Sequence, residues 1–259
     1  MRAIVLAAGR GERLRPLTDT IPKPMLEVGG RPVIHYVLRM LRRAGIADVA
    51  INLHHLGDRI RGGLGDGAQF GMRIRWAPEP VLLGTGGPIA ALRDYLSDDT
   101  FVIANSDTIL DLDLAAMIAF HRARGALATI ALFDPPNLSY YSRIEIDAAA
   151  RVRRMRLFAK PDSAEFDDYP KDLPEATARA LSSFMYCGVI VAEPAALERM
   201  PAARTWSLMS GMFAPMAAAG QPLFGYVHRG YFRTIDDLKS FEALRAELAL
   251  GLPAALMAD

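Results

Sequence analysis

Arg2-Ala3-Ile4-Val5-Leu6-Ala7-Ala8-Gly9-Arg10-Gly11-Glu12-Arg13-Leu14-Arg15-Pro16-Leu17-Thr18, followed by Pro22-Lys23-Pro24-Met25-Leu26, is the stretch that decides how this chain reads. Its first residues are a short apolar run, the pattern of a buried strand. The strand runs directly into glycines and cations. Gly9 and Gly11 allow a tight turn and close approach of backbone to a ligand. A loop of exposed backbone N–H groups is an anion cradle. Arg10, Arg13, Arg15 and Lys23 add four cations, against which Glu12 and Asp19 are the only acids. That combination calls for a polyphosphate. The prolines around Lys23 predict extended backbone there rather than a helix face.

Working outward, strand-like runs alternate with helix-period segments, which predicts an α/β sheet. The strand candidates are Ala3–Ala7, Val49–Leu53, Met72–Trp76, Thr100–Ala104 and Leu127–Phe133. Val33–Ala44 reads as an amphipathic helix with Val33, Tyr36, Val37, Met40 and Leu41 on one face. Leu56–Leu64, Gly87–Leu96 and Leu114–Arg124 read as further helices. Later segments change character. Arg143–Ile146 and Val152–Leu157 form a hairpin pattern around Asp147–Ala150, and Met185–Val191 and Leu223–His228 are later strands. Asp162–Ala176 is acidic, carries Pro170 and Pro174, and reads as a surface insertion.

Leu-Ala-Ala-Gly-x-Gly-x-Arg-Leu, then Pro-Leu-Thr, then Pro-Lys-Pro-Met-Leu, resembles the signature of the sugar-1-phosphate nucleotidylyltransferases. The coupling of two elements at a short fixed distance is what makes the match specific, since a lone Gly-x-Gly carries little. A dinucleotide fold would want a third glycine and an acid at the end of the second strand; that strand ends Asn52-Leu53-His54. The resemblance implies a Rossmann-like, doubly wound, mostly parallel (mixed) sheet flanked by helices, with a small β-rich sugar-binding part. It extends over one domain: a nucleotide-binding half (1–125), a sugar-phosphate-binding half (126–240), and a C-terminal helix and tail (241–259). The absence of a hexapeptide repeat after residue 240 makes it similar to the short form of the family, and Leu83–Pro88 and Phe184–Val189 resemble their counterparts in mannose-1-phosphate guanylyltransferases and N-acetylmuramate-1-phosphate uridylyltransferases.

The resemblance assigns roles. Leu6, Ala7, Ala8, Gly9 and Gly11 would cradle the nucleotide, and Arg13 and Lys23 would neutralise the departing pyrophosphate. The second glycine cluster, Leu83-Gly84-Thr85-Gly86-Gly87-Pro88, would lie against the base, with Glu79, Gly84, Thr85 and Gly86 as nucleotide contacts. Its form favours GTP or UTP over dTTP, with CTP left open by the segment around Asp236. Phe101–Asp107 is a strand with a polar end, and sites of open α/β sheets lie at such ends. Asp107 matches the family's metal-binding aspartate, with Ser106 in place of the usual glycine. The second aspartate usually sits in Trp-x-Asp, absent here. Gly230–Leu238 is similar instead to a Phe-Trp-x-x-Met-Asp form, which makes Asp236 the ligand and Asp237 the start of the next helix; Asp236 could equally be the cap of helix Leu238–Leu248. Two carboxylates among phosphates imply Mg²⁺. In the sugar half, Tyr141, Lys160 and Gly188 match substrate-binding positions, while Ala159 replaces a glutamate that usually touches the sugar.

The implied reaction is NTP plus sugar 1-phosphate to NDP-sugar plus pyrophosphate, with a mannose-, heptose- or N-acetylmuramate-type sugar. Ala159 and the irregular Phe232–Asp236 segment keep one alternative, a catalytically silent relative that binds nucleotide sugars and regulates a partner. Gross composition sets outer bounds. The 259 residues are 51% hydrophobic and 23% charged, with net charge +1. No global basic field recruits nucleic acid. One cysteine, Cys187, cannot make an internal bridge, which suits a reducing cytoplasm. The N-terminal apolar run is too short for a signal sequence, and no membrane span is expected. A homo-oligomer is admissible.

Overall fold

The computed structural model describes residues 1–159, 165–201, 205–251, 253 and 256. Lys160 and positions 162–164 of the acidic segment lie outside the described residues. Contacts divide the chain into two compact units. One is Met1–Leu82 with Val102–Ala115 and Gly230–Asp259; the other is Leu83–Phe101 with Ala116–Arg229.

In chain order the first segment runs β1 (Arg2–Leu6), β2 (Glu27–Val28), β3 (Arg31–Pro32), α1 (Val33–Arg43), β4 (Asp48–Leu53), α2 (Gly57–Leu64) and β5 (Arg73–Pro78). Then come α3 (Gly87–Ala91), α4 (Arg93–Leu96), β6 (Phe101–Asn105), β7 (Thr108–Leu110) and α5 (Leu114–Ala123). The later elements are β8 (Ala128–Phe133), β9 (Arg143–Ile146), β10 (Val152–Phe158), β11 (Phe166–Tyr169), α6 (Glu175–Arg179), β12 (Ser182–Ala192), α7 (Ala214–Ala218), β13 (Leu223–His228), β14 (Phe232–Thr234) and α8 (Leu238–Ala249).

In the first unit the strand order is β6-β1-β4-β5, and the β1–β4 and β4–β5 pairs are parallel. Ala3, Ile4 and Val5 are fully buried, as a continuous apolar run in a sheet covered on both faces requires. α1 buries Val33, Ile34, Tyr36, Val37, Leu38, Met40 and Leu41, a wider stripe than the five residues expected. A second cluster joins Leu14, Leu26, Val33 and Tyr36 to Ile109, Ile235, Phe241 and Leu244. It packs α8 and the antiparallel pair β7–β14 against α1, with Tyr36 Oη donating to the Val28 carbonyl at 2.9 Å.

The second unit is mixed. β11-β10-β9-β12 are neighbours in that order, all antiparallel, and β12 pairs antiparallel with β8, which pairs parallel with β13. The mixed α/β sheet expected from the alternation of segments is therefore present. Three details differ. The expected helix Gly87–Leu96 is two short helices, because Leu92 (φ −102°, ψ 18°) leaves helical geometry between them. The acidic stretch is not all loop: Phe166–Tyr169 is β11, an edge strand on β10, and Glu175 begins α6. Lys23 is not extended but opens a 3-10 turn, Lys23–Met25, with extended Pro22 before it. Among the described residues no helix is long and apolar enough to cross a membrane.

His121 shows how the second unit satisfies a buried polar group. It is almost fully buried; its Nδ1 meets Thr129 Oγ1 at 2.9 Å and its Nε2 meets Glu193 Oε1 at 2.9 Å. Thr100 Oγ1 donates to the same Glu193 oxygen. Burial holds the His121 imidazole below its ordinary 6.5, although Glu193 pulls the other way. The ring is thus neutral in the fold and protonates more readily in the unfolded chain. Its contribution to stability is present above about pH 6.5 and is lost as pH falls below that value. Melting curves at neutral pH and near pH 5.5 should show this, and His121→Gln should flatten the difference. An identical pH slope in the variant would assign the acid lability elsewhere.

Candidate active site

Four side chains of the first unit converge where β6 ends. Lys23 Nζ lies 2.5 Å from Asp107 Oδ2, with the two side chains only 15% and 23% exposed. Arg13 Nη2 lies 3.9 Å from Asp236 Oδ1. The other two cations of the glycine loop are engaged locally, Arg10 with Glu12 and Arg15 with Asp19. The loop's four cations thus resolve into two that face carboxylates of the site and two that form surface pairs.

Local folding explains the convergence. Gly11 adopts φ +64°, and a Cβ there would stand 2.8 Å from Thr18 Cγ2, so only glycine fits without strain. Thr18 Oγ1 donates to the Gly11 carbonyl, and the imidazole of His55 donates to the Thr18 carbonyl at 2.7 Å. Gly9 is exposed, and a Cβ on it would meet nothing within 4 Å. The start of the loop is pinned from below: the Ala7 N–H donates to Asn52 Oδ1, and Asn52 Nδ2 donates to Glu79 Oε1, each at 2.7 Å. The Ala7 amide is therefore a brace rather than a donor open to a ligand. The Glu79 carboxylate, expected to contact nucleotide, is nearly buried and holds Asn52. Asn52 stands at the carboxyl end of β4, and just beyond it His54 and His55 bond to the carbonyls of Glu79 and Thr18.

Asp107 is placed from two directions. Ser106 Oγ donates to the Leu6 carbonyl at 2.6 Å, tying the end of β6 to the end of β1. The serine that replaces the expected glycine is thus a brace. β7 and β14 then pair Thr108 with Thr234, and Ile235 N donates to the Asp107 carbonyl at 3.2 Å. This short ladder carries residue 236 to the same place. Asp237 does something else: it caps α8, accepting from Ser240 N at 2.7 Å while Ser240 Oγ accepts from Asp237 N. Burial pushes the Asp236 carboxyl above the usual carboxylate range; Asp107 and Asp237 push the same way, while Lys23 and Arg13 oppose them.

Asp107 and Asp236 are hard oxygen donors close enough to feel each other's charge. Among the described residues no group of three or more His, Cys, Asp or Glu side chains could hold a metal. A donor set of two carboxylates suits Mg²⁺, which keeps water and takes substrate phosphates as its remaining ligands.

The second unit carries the other expected positions. In the loop Leu83–Gly86, the glycines accommodate Trp206. A Cβ on Gly84 would stand 2.5 Å from the Trp206 carbonyl oxygen, and one on Gly86 2.2 Å from its ring. Gly86 N donates to the Trp206 carbonyl, and Leu208 N donates to Thr85 Oγ1 at 2.8 Å. Tyr141 lines a cavity of about 520 Å³ together with Ser142, Phe158, Met185, Tyr186 and Ser207. Gly188 is not among its lining residues. It has φ +91° and sits in β12 where the register with β8 shifts, a bulge that glycine permits. Lys160 lies outside the described residues.

A family model described as nucleotidyl transferase matches residues 2–241. The chain is 30% identical over 237 residues to a UTP–glucose-1-phosphate uridylyltransferase of Synechocystis sp., covering 86% of this chain and 57% of that protein. It is 46% identical over 117 residues to an N-acetylmuramate α-1-phosphate uridylyltransferase of Neisseria meningitidis, covering 45% and 51%. It is 30% identical over 251 residues to a mannose-1-phosphate guanylyltransferase of Mycobacterium tuberculosis, covering 96% and 65%. The chain thus spans between about half and two thirds of the length of these relatives. Among solved structures, HddC from Yersinia pseudotuberculosis superposes with a TM-score of 0.74 at 19% identity, covering 95% of this chain and 99% of that one. That likeness concerns the fold.

Proposed function

The chain belongs to the nucleotidyl transferase family, and we propose that it joins a nucleoside triphosphate to a sugar 1-phosphate, giving an NDP-sugar and pyrophosphate. The observation that carries this reading is the convergence of Lys23, Asp107, Arg13 and Asp236 beside the glycine loop. The relatives act on glucose, mannose and N-acetylmuramate 1-phosphates, by their names.

An oxygen of the sugar phosphate attacks the α-phosphorus in line. The new P–O bond forms as the bond to pyrophosphate breaks, and no protein nucleophile is consumed. Catalysis then rests on positioning and charge neutralisation. Arg13 and Lys23 take the charge that develops on the departing pyrophosphate. Gly9 and Gly11 let the loop backbone approach the phosphates. Asp107 and Asp236 would hold Mg²⁺, which when bound supplies charge neutralisation and alignment of the two phosphates. The cavity lined by Tyr141, Met185 and Tyr186 receives the sugar. Two of the relatives are named uridylyltransferases and one a guanylyltransferase, and the nucleotide assigned here is UTP or GTP.

The reading is tested by pyrophosphate release with Mg²⁺, each of five NTPs, and glucose, mannose, heptose and N-acetylmuramate 1-phosphates. Release with UTP or GTP and at least one sugar is expected. A nucleotide present at about 100 times its Kd should also stabilise the protein by roughly 2.7 kcal/mol. Folded protein that releases no pyrophosphate with any pair, yet binds an NDP-sugar, would establish the regulatory alternative instead. Preference for dTTP or ATP would overturn the nucleotide assignment.

A further inference from the structure

A second basic cluster lies along α1, built from residues with no part in the reaction above. Arg31, His35, Arg39 and Arg43 follow one another at intervals of four, so those in α1 share a face of the helix. With Arg42 and Phe70 they line a cavity of about 510 Å³ that no carboxylate among the described residues lines. Arg31, Arg39, Arg42 and Arg43 thus bring four guanidinium groups to one hollow, a positive lining that favours an anion.

Two further observations bear on the same hollow. Arg31 Nη1 and His35 Nε2 are buried polar atoms without a hydrogen-bond partner, a cost that a bound acceptor or donor removes. The His35 ring meets Phe70 edge to face at 4.8 Å, which gives the cavity a flat aromatic wall. Gly71 (φ +62°) leaves room beside Arg42, since a Cβ there would stand 3.0 Å from its Nε. Burial, then Arg31 and Arg39, holds the His35 imidazole below its ordinary range. The positive charge of the cavity comes from its arginines.

We propose that this cavity binds a small organic phosphate bearing a flat ring, with the phosphate on the arginines and the ring against His35 and Phe70. Guanidinium groups suit phosphate because their planar forks pair with two oxygens at once. Phenyl phosphate is the probe, titrated calorimetrically into the protein, with inorganic phosphate and phenol as partial probes. Saturable binding of one phenyl phosphate is expected with Kd below about 1 mM, weaker binding of phosphate, and none of phenol. Arg42→Glu, at an exposed position, and Phe70→Ala should each weaken it, the first by about tenfold or more. Lys23→Ala should leave it unchanged, and Arg42→Glu should leave pyrophosphate release unchanged. Circular dichroism confirms that each variant is folded. Absence of saturable binding to the wild type, equal affinity in Arg42→Glu and in Arg39→Gln, or loss of binding in Lys23→Ala would overturn the proposal.

Discussion

Lys23→Ala should lower kcat by about 10²- to 10³-fold, the usual cost of removing one charged donor aimed at developing negative charge. Lys23 is the best-placed cation of the glycine loop. Its backbone opens the 3-10 turn Lys23–Met25 after extended Pro22, and its ammonium reaches Asp107 at 2.5 Å in a largely buried pair. Pyrophosphate gains charge as it leaves, so the loss should fall on kcat more than on KM. The same substitution strips Asp107 of its ion-pair partner, and a melting temperature lower than wild type is expected with it. Lys23→Arg should recover little, because a planar fork cannot take the place of a compact ammonium at that distance. Steady-state kinetics with the productive substrate pair, together with a melting curve, separates the two effects. A kcat near wild type would remove Lys23 from the chemistry and leave it a structural partner of Asp107.

What the letters disclosed and what they hid follow from the range of the interactions. β1 and α1 are written in local periodicity, and their bounds agree with the reading to within about one residue. The cation loop is equally local. β7 and β14 are three residues each, and neither has enough pattern to be seen alone; they exist because Thr108 and Thr234 meet across more than a hundred positions. That pairing turns the irregular Phe232–Asp236 segment, a reason to doubt activity, into the element that carries Asp236 to Asp107. The glycines at 84 and 86 are expected to let the loop lie against a base; what their missing Cβ atoms accommodate in the fold is Trp206, a residue no local rule connects with them. The Lys23 backbone differs from the extended form expected because flanking prolines restrict their neighbours without fixing one conformation, and the turn closes through Leu26 N donating to the Lys23 carbonyl. Asn52 and Ser106 illustrate the intermediate case. Each is a small polar residue at a strand's carboxyl end, and each braces the glycine loop or its neighbour through one hydrogen bond.

Adjacent acids give the sharpest separation of function from stability. Asp236→Asn should reduce turnover by about 10²- to 10³-fold and raise the Mg²⁺ concentration needed for half-maximal activity, since a metal-holding charge is lost. Its metal-free stability should be unchanged or higher. The half-buried Asp236 carboxylate lies near Asp107, and its surroundings on balance disfavour its charge. The compensating pair with Arg13 is 3.9 Å long with the arginine 70% exposed, and contributes little. Asp237→Ala should behave oppositely. It removes an N-cap whose side chain accepts from Ser240 N, at a cost of about 1 kcal/mol. Turnover and the Mg²⁺ requirement should stay near wild type, because the Asp237 side chain is committed to the end of α8. Melting in the presence of chelator and initial rates against Mg²⁺ concentration make the comparison. If Asp237→Ala lost activity while Asp236→Asn kept it, the roles of the two aspartates would be exchanged. The capping geometry argues against that exchange, because a carboxylate turned toward the Ser240 amide is oriented by the helix it starts.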